Sequence, residues 1–173
     1  MTLTNAEDME IAQLIDTLMT GGHSLVVENT SGEVADLLAD NRIAAGVWAF
    51  DGRGVSNLLR LSDTAPALLQ GATIADKVVG KAAAALLIQA GVHTVWAGTI
   101  SLSALALFAQ SATATADGAT TPVSVTYATV VDHIMNRDLT DWCPMEQVCF
   151  ESPTAADSIA KIRAKLAEMR GNK

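Results

Sequence analysis

A chain of 173 residues with a formal charge of −8 suits one compact domain with a sizeable core. Half of it is apolar but only 4% is aromatic, so helices built on Ala, Val, Leu and Ile are expected to pack closely on a sheet. The acidic balance excludes nucleic-acid polymers and anionic membrane surfaces as partners, and leaves small anions as ligands of a local basic pocket.

Residues 6 to 20 read as a helix that Asn5 can cap, with Asp8 in the reciprocal position and Ile11, Leu14, Ile15 and Leu18 along one stripe. Gly21 and Gly22 stop it, and this acidic start, 1–22, lacks the basic and then apolar pattern of a signal peptide. Ser24 to Glu28 is strand-like, Asn29 to Gly32 is turn chemistry, and 33–54 is ambiguous apart from a strand pattern over Gly46 to Phe50 closed by Asp51-Gly-Arg-Gly54. Leu58 to Leu69 holds one helix, or two short ones broken near Pro66. The run IADKVVGKAAAALLIQA, 74–90, predicts a single long helix ended by Gly91.

Thr94 to Ile100 reads as a buried strand, and Ser101 can cap the helix that follows through Gln110. Residues 111–121 are low in complexity and are expected to form a flexible loop. Pro122 to Tyr127 has strand character, Asn136 to Pro144 is polar and irregular, and 153–170 predicts an amphipathic helix with Asp157 in a capping box. Strands alternating with helices, without internal repeats, indicate a single α/β domain over 1–173: a layered α-β-α arrangement around a mixed sheet. No apolar run approaches the roughly 20 residues of a membrane span. Cys143 and Cys149 form no Cys-x-x-Cys pattern, which fits a reducing, cytoplasmic setting.

Two segments carry chemistry. On a helix over 74–90, Lys77 and Lys81 would share a face in its first half, where both mutual repulsion and the macrodipole oppose them. The residues around them are apolar, and desolvating an unpaired ammonium costs several kcal/mol. An anion is therefore expected to meet them, either a carboxylate such as Asp76 or a ligand. Gly80, costly inside a helix, points to close approach by a ligand or another backbone. The alternative is that both lysines snorkel to solvent. The second segment is Asn136-Arg-Asp138 with Trp142-Cys-Pro-Met-Glu146. Cys143 becomes a nucleophile if a cation or helix start lowers its pKa, Glu146 can act as acid, base or counter-charge, and Arg137 can grip a carboxylate or phosphate. The alternative there is a packed corner, and Cys149 reads as core.

Four strings resemble an uncharacterised bacterial family, a so-called orphan deaminase-like domain of unknown function. They are Arg53-Gly-Val55, ADKVVGKAAAALL from Ala75 to Leu87, Ile100-Ser101 with Ala104-Leu105, and Asn136-Arg137 with Cys143-Pro-Met-Glu146. The resemblance covers most of residues 10 to 150 and implies a cytidine-deaminase-like fold, with a site at the N-terminal ends of two central helices. Zinc deaminases carry His or Cys with Glu at one such start and Pro-Cys-x-x-Cys at the other. The matching positions here hold Asp76, Lys77, Gly80 and Lys81, then Ser101, Leu102 and Ser103, so neither a metal nor another cofactor is expected.

The resulting expectation is a zinc-free deaminase-like protein that binds a small anionic or nucleotide-like molecule. Lys81, Cys143 and Glu146 are its catalytic candidates; Asp76, Lys77, Gly80, Ser101, Asn136 and Arg137 are its ligand-binding candidates. Whether it catalyses anything is left open. The alternative is a regulatory or structural oligomeric module, thiol-redox responsive through Cys143, with a homodimer as its assembly.

Overall fold

The computed structural model describes residues 5–52, 55–115 and 121–171. Helix α1 (Asn5–Thr20) is followed by strand β1 (Leu25–Glu28), two 3-10 turns, and strands β2 (Arg42–Ala44) and β3 (Val47–Phe50). Helices α2 (Val55–Thr64) and α3 (Pro66–Leu69) separate these from β4 (Thr73–Val79). Then come α4 (Lys81–Gln89), β5 (Thr94–Ser101), α5 (Leu102–Thr115), β6 (Ser124–Val131), α6 (Pro144–Cys149) and α7 (Ala155–Gly171). The strands form one sheet in the order β2-β3-β1-β4-β5-β6. β1 lies antiparallel to β3 and β4, whereas β4, β5 and β6 run parallel, so the sheet is mixed.

Helices cover both faces. Neighbouring strand residues point to opposite sides, and Val26 and Ala75 pack with Leu14 and Leu18 of α1 while Val27 and Ile74 join the main core. That main core receives Leu58 and Leu61 from α2, Leu68 and Leu69 from α3, Leu107 and Phe108 from α5, and Ile159 and Ile162 from α7. Helix α4 is its centre, buried from Lys81 to Leu87. Four consecutive alanines, Ala82 to Ala85, let α2, α5, α6 and α7 all come against it, the close packing expected of an alanine-rich core. At the start of α7, the Asp157 N–H donates to Thr154 Oγ1 at 3.1 Å, one half of the expected capping box.

Two expectations are corrected. Residues 74–90 are not one helix: Ile74 to Val79 continue β4, Gly80 is extended (φ −91°, ψ −178°), and the helix begins only at Lys81. β-branched Ile74, Val78 and Val79 favour the strand, and parallel pairing with β5 satisfies their backbone. Lys77 and Lys81 therefore share no helix face. The segment 111–121 is not all loop either, since α5 runs to Thr115 on an Ala-rich sequence with good helix propensity; 116–120 lie outside the described residues. So do Arg53 and Gly54 of the expected turn and the side chains of Asn5 and Asp8. No helix among the described residues is long and apolar enough to cross a membrane.

Candidate functional site

A helix start leaves backbone N–H groups without partners. At the start of α4, the Lys81 N–H donates to Glu146 Oε1 at 3.2 Å. At the start of α5, Ser101 Oγ accepts the Ala104 N–H at 3.3 Å, the cap expected from the sequence. The Ser101 and Ser103 hydroxyls then donate to that same Glu146 oxygen, at 3.0 and 2.6 Å. Glu146 Oε2 accepts the Ile134 N–H at 3.0 Å, which fastens the loop after β6 to the cluster. One carboxylate, 1% exposed, thus joins two helix starts and a loop through four donors. The partial positive charge of both helix N-termini favours an anion in this place.

Gly80 makes the arrangement fit. A Cβ added there would sit 2.8 Å from Glu146 Oε2 and 3.0 Å from Ile134 Cγ1. The close approach expected at Gly80 is made by the chain's own carboxylate and isoleucine.

Lys81 is buried, 7% exposed, and burial pushes its ammonium below the ordinary lysine range. Its Nζ donates to the carbonyls of Phe150 and Ser152, at 2.8 and 2.7 Å. An ammonium has three N–H donors, so one remains. Among the described residues its contacts are carbonyls and no carboxylate lies within ion-pair distance. The direct contacts are thus two carbonyl dipoles, available because the chain turns between α6 and α7 beside the start of α4, while Glu146 and Asp157 supply negative charge at longer range.

Beyond the C-terminal ends of β4, β5 and β6, a cavity of about 410 Å³ opens between Lys81, Ser103, Leu107, Gln110, Asp132, His133 and Phe150. Crevices at the carboxyl ends of parallel strands are where open α/β sheets take ligands. One wall is aromatic: His133 stacks on Trp142 with ring centroids 3.4 Å apart, and Phe150 lies 5.5 and 5.1 Å from the two rings. His133 Nδ1 is buried and has no hydrogen-bond partner among the described residues.

The remaining expected residues disperse. Cys143 is half-buried and borders a separate void of about 60 Å³ with Gly80, Ile134 and Glu146, room for little more than a water molecule or two. Asp76 is buried within β4, where desolvation raises its carboxyl to about 7 despite a 3.1 Å hydrogen bond from the Val78 N–H; it meets neither lysine ammonium. Lys77 is half-buried on β4 and its N–H donates to the Ser24 carbonyl at 3.1 Å. Asn136 organises a turn, its Oδ1 accepting the Thr140 N–H at 3.0 Å. Arg137 is exposed and makes no side-chain hydrogen bond or ion pair among the described residues. Cys149 is a core thiol, pushed up to about 12 mainly by burial and donating to the Met145 carbonyl at 2.8 Å.

The structure thus unites Gly80, Lys81, Ser101 and Glu146 with Ser103, which the resemblance places at the second helix start, and adds Asp132, His133, Ile134 and Phe150, to which sequence reasoning gave no role. For Ser103, Asp132, His133 and Ile134 the signal was position, close after the end of a parallel strand; Phe150, at the end of α6, had none. Among the described residues, no three His, Cys, Asp or Glu side chains gather as a metal site would require.

The sequence profile of TM1506, a domain of unknown function (DUF1893), matches residues 13–166. The fold is similar to the crystal structure of a DUF1893 family protein (TM1506) from Thermotoga maritima, with a TM-score of 0.68 and 19% identity over 95% of this chain and 92% of that one. No curated protein matches the sequence.

Proposed function

The chain belongs to the DUF1893 family, whose function is unknown, and from that premise we propose that it binds a small organic anion in the cavity beside Lys81. The observation that carries this reading is the Lys81 ammonium: buried, held only by two carbonyls, and placed on the wall of a 410 Å³ cavity with one donor unused. Glu146 and Asp157 act on this ammonium only without direct contact, so an anion that reaches its unused donor adds a contact that no carboxylate of the described residues makes. The Ser103 hydroxyl lies on the same wall, and the His133 and Phe150 rings suit a flat or apolar portion of the ligand, a nucleotide-like combination.

The deaminase-like reading rests on the two helix starts that meet at one point. In this chain a carboxylate of its own, Glu146, stands there with serine and lysine around it, in place of a His/Cys ligand set. On this reading Glu146 builds the site and Lys81 receives the ligand, while Cys143 faces a void too small for a substrate. Binding is accordingly favoured over catalysis. The two cysteines, unpaired and apart from any metal cluster of described residues, fit a reducing compartment such as the cytoplasm.

The test is a ligand-observed NMR and thermal-shift screen of inorganic phosphate, nucleoside monophosphates and small carboxylates. The wild type is compared with Ala106→Trp, which fills the cavity from an exposed position and leaves Lys81 and Glu146 intact. Stabilisation of the wild type that disappears in Ala106→Trp is expected. Binding equally strong in both proteins, or no binding by any anion, defeats the reading.

A further inference from the structure

The two edges of the sheet are treated differently. At one, β2 has only three residues, carries Arg42, and pairs with β3 through a register shift. Brevity, charge and irregular pairing are the devices that keep an edge strand from recruiting another chain. At the other, β6 has eight residues, Ser-Val-Thr-Tyr-Ala-Thr-Val-Val, with neither charge nor proline. Its parallel register with β5 is constant from Thr94↔Ser124 to Ser101↔Val131, so no bulge bends it away. Six of its residues are exposed, including Tyr127 at 46% and Val130 at 38%. Among the described residues no strand lies on its outer side. The Ser124 N–H donates inward to the His93 carbonyl at 2.9 Å, so backbone groups that alternate with it, beginning at Val125, face outward.

We propose that β6 is the seam at which a second copy of this chain adds its own β6, antiparallel, so that one sheet continues across a two-fold axis. A single strand can complement itself in this way, with the same residues contributed from both sides. Charge selects both occupant and direction. In a chain of net charge −8, an uncharged strand is where two copies meet with least repulsion, and it offers a charged foreign strand nothing to pair with. Antiparallel pairing brings Asp132, just past the end of β6, beside the uncharged Ser124 end of the partner strand, whereas parallel pairing would set one Asp132 against the other. This inference is independent of the ligand reading.

Sedimentation velocity and light scattering of the wild type across a wide dilution series are expected to show a dimer of about 36 kDa, twice the 18.0 kDa chain, dissociating on dilution. Thr129→Lys, which puts a charge on an exposed strand position, is expected to halve that mass while the circular-dichroism spectrum stays that of the folded chain, with a melting temperature that no longer rises with protein concentration. As a measurement that needs no variant, hydrogen exchange at β6 amides of the wild type is expected to slow with rising protein concentration while α4 amides stay unchanged. A monomer at every concentration overturns the proposal. So does a dimer whose β6 amides exchange at a concentration-independent rate, or a ladder of larger species in place of a dimer.

Discussion

Glu146, itself 1% exposed, accepts hydrogen bonds from Lys81, Ser101, Ser103 and Ile134. Glu146→Ala leaves the buried Lys81 N–H and the part-buried Ile134 N–H without this partner, at about 1–3 kcal/mol for each that water does not reach. A loss of about 3 kcal/mol or more is expected from urea unfolding, with Glu146→Gln intermediate because its amide keeps one accepting oxygen. Asp76 behaves in the opposite way. Burial raises its carboxyl from 3.8 to about 7, so between these values the folded state binds more protons than the unfolded one. Its contribution is therefore favourable at acid pH and is lost as pH rises through about 7. Asp76→Asn keeps an oxygen for the Val78 N–H and removes the titration. The variant is expected to be more stable than the wild type at pH 8, by at most roughly 4 kcal/mol, and to lose the advantage near pH 4. Paired melts at the two pH values check this.

At the level of elements, the passage from β4 to α4 decides the site. The run 74–90 satisfies a helical pattern because its apolar residues are nearly continuous, and a continuous apolar run does not separate a buried helix from a buried strand. Ile74, Val78 and Val79 before a glycine, and four alanines after it, were the discriminating signals. Gly80 was legible as a point of close approach; what approached was not, because Glu146 is distant in sequence and only the turn around α6 returns it. Gly80→Ala tests the geometry. The added methyl meets a carboxylate pinned by other hydrogen bonds, and alanine also caps a helix less well than glycine. A destabilisation of about 1–3 kcal/mol is expected in chemical denaturation.

Over the whole molecule, the layered order was readable from the alternation of strands and helices, while the sheet is mixed because β1 runs antiparallel to both β3 and β4. The cavity was less so, since Asp132, His133 and Phe150 carry no motif and acquire meaning only once β6 is known to run parallel to β5. The two cores also differ in size. α1 is held by a small cluster around Leu14 and Leu18, while the other helices share the main core. Native-state hydrogen exchange is expected to show α1 opening at lower free energy than α4. Leu18→Ala is expected to cost about 2–5 kcal/mol by thermal or urea unfolding. Lys81, finally, works as a tether as well as a charge. Its ammonium grips Phe150 and Ser152, the short strap leading into α7. Cutting that grip, as Lys81→Ala would, frees two carbonyls at once and loosens the first turn of the C-terminal helix from the helix it leans on.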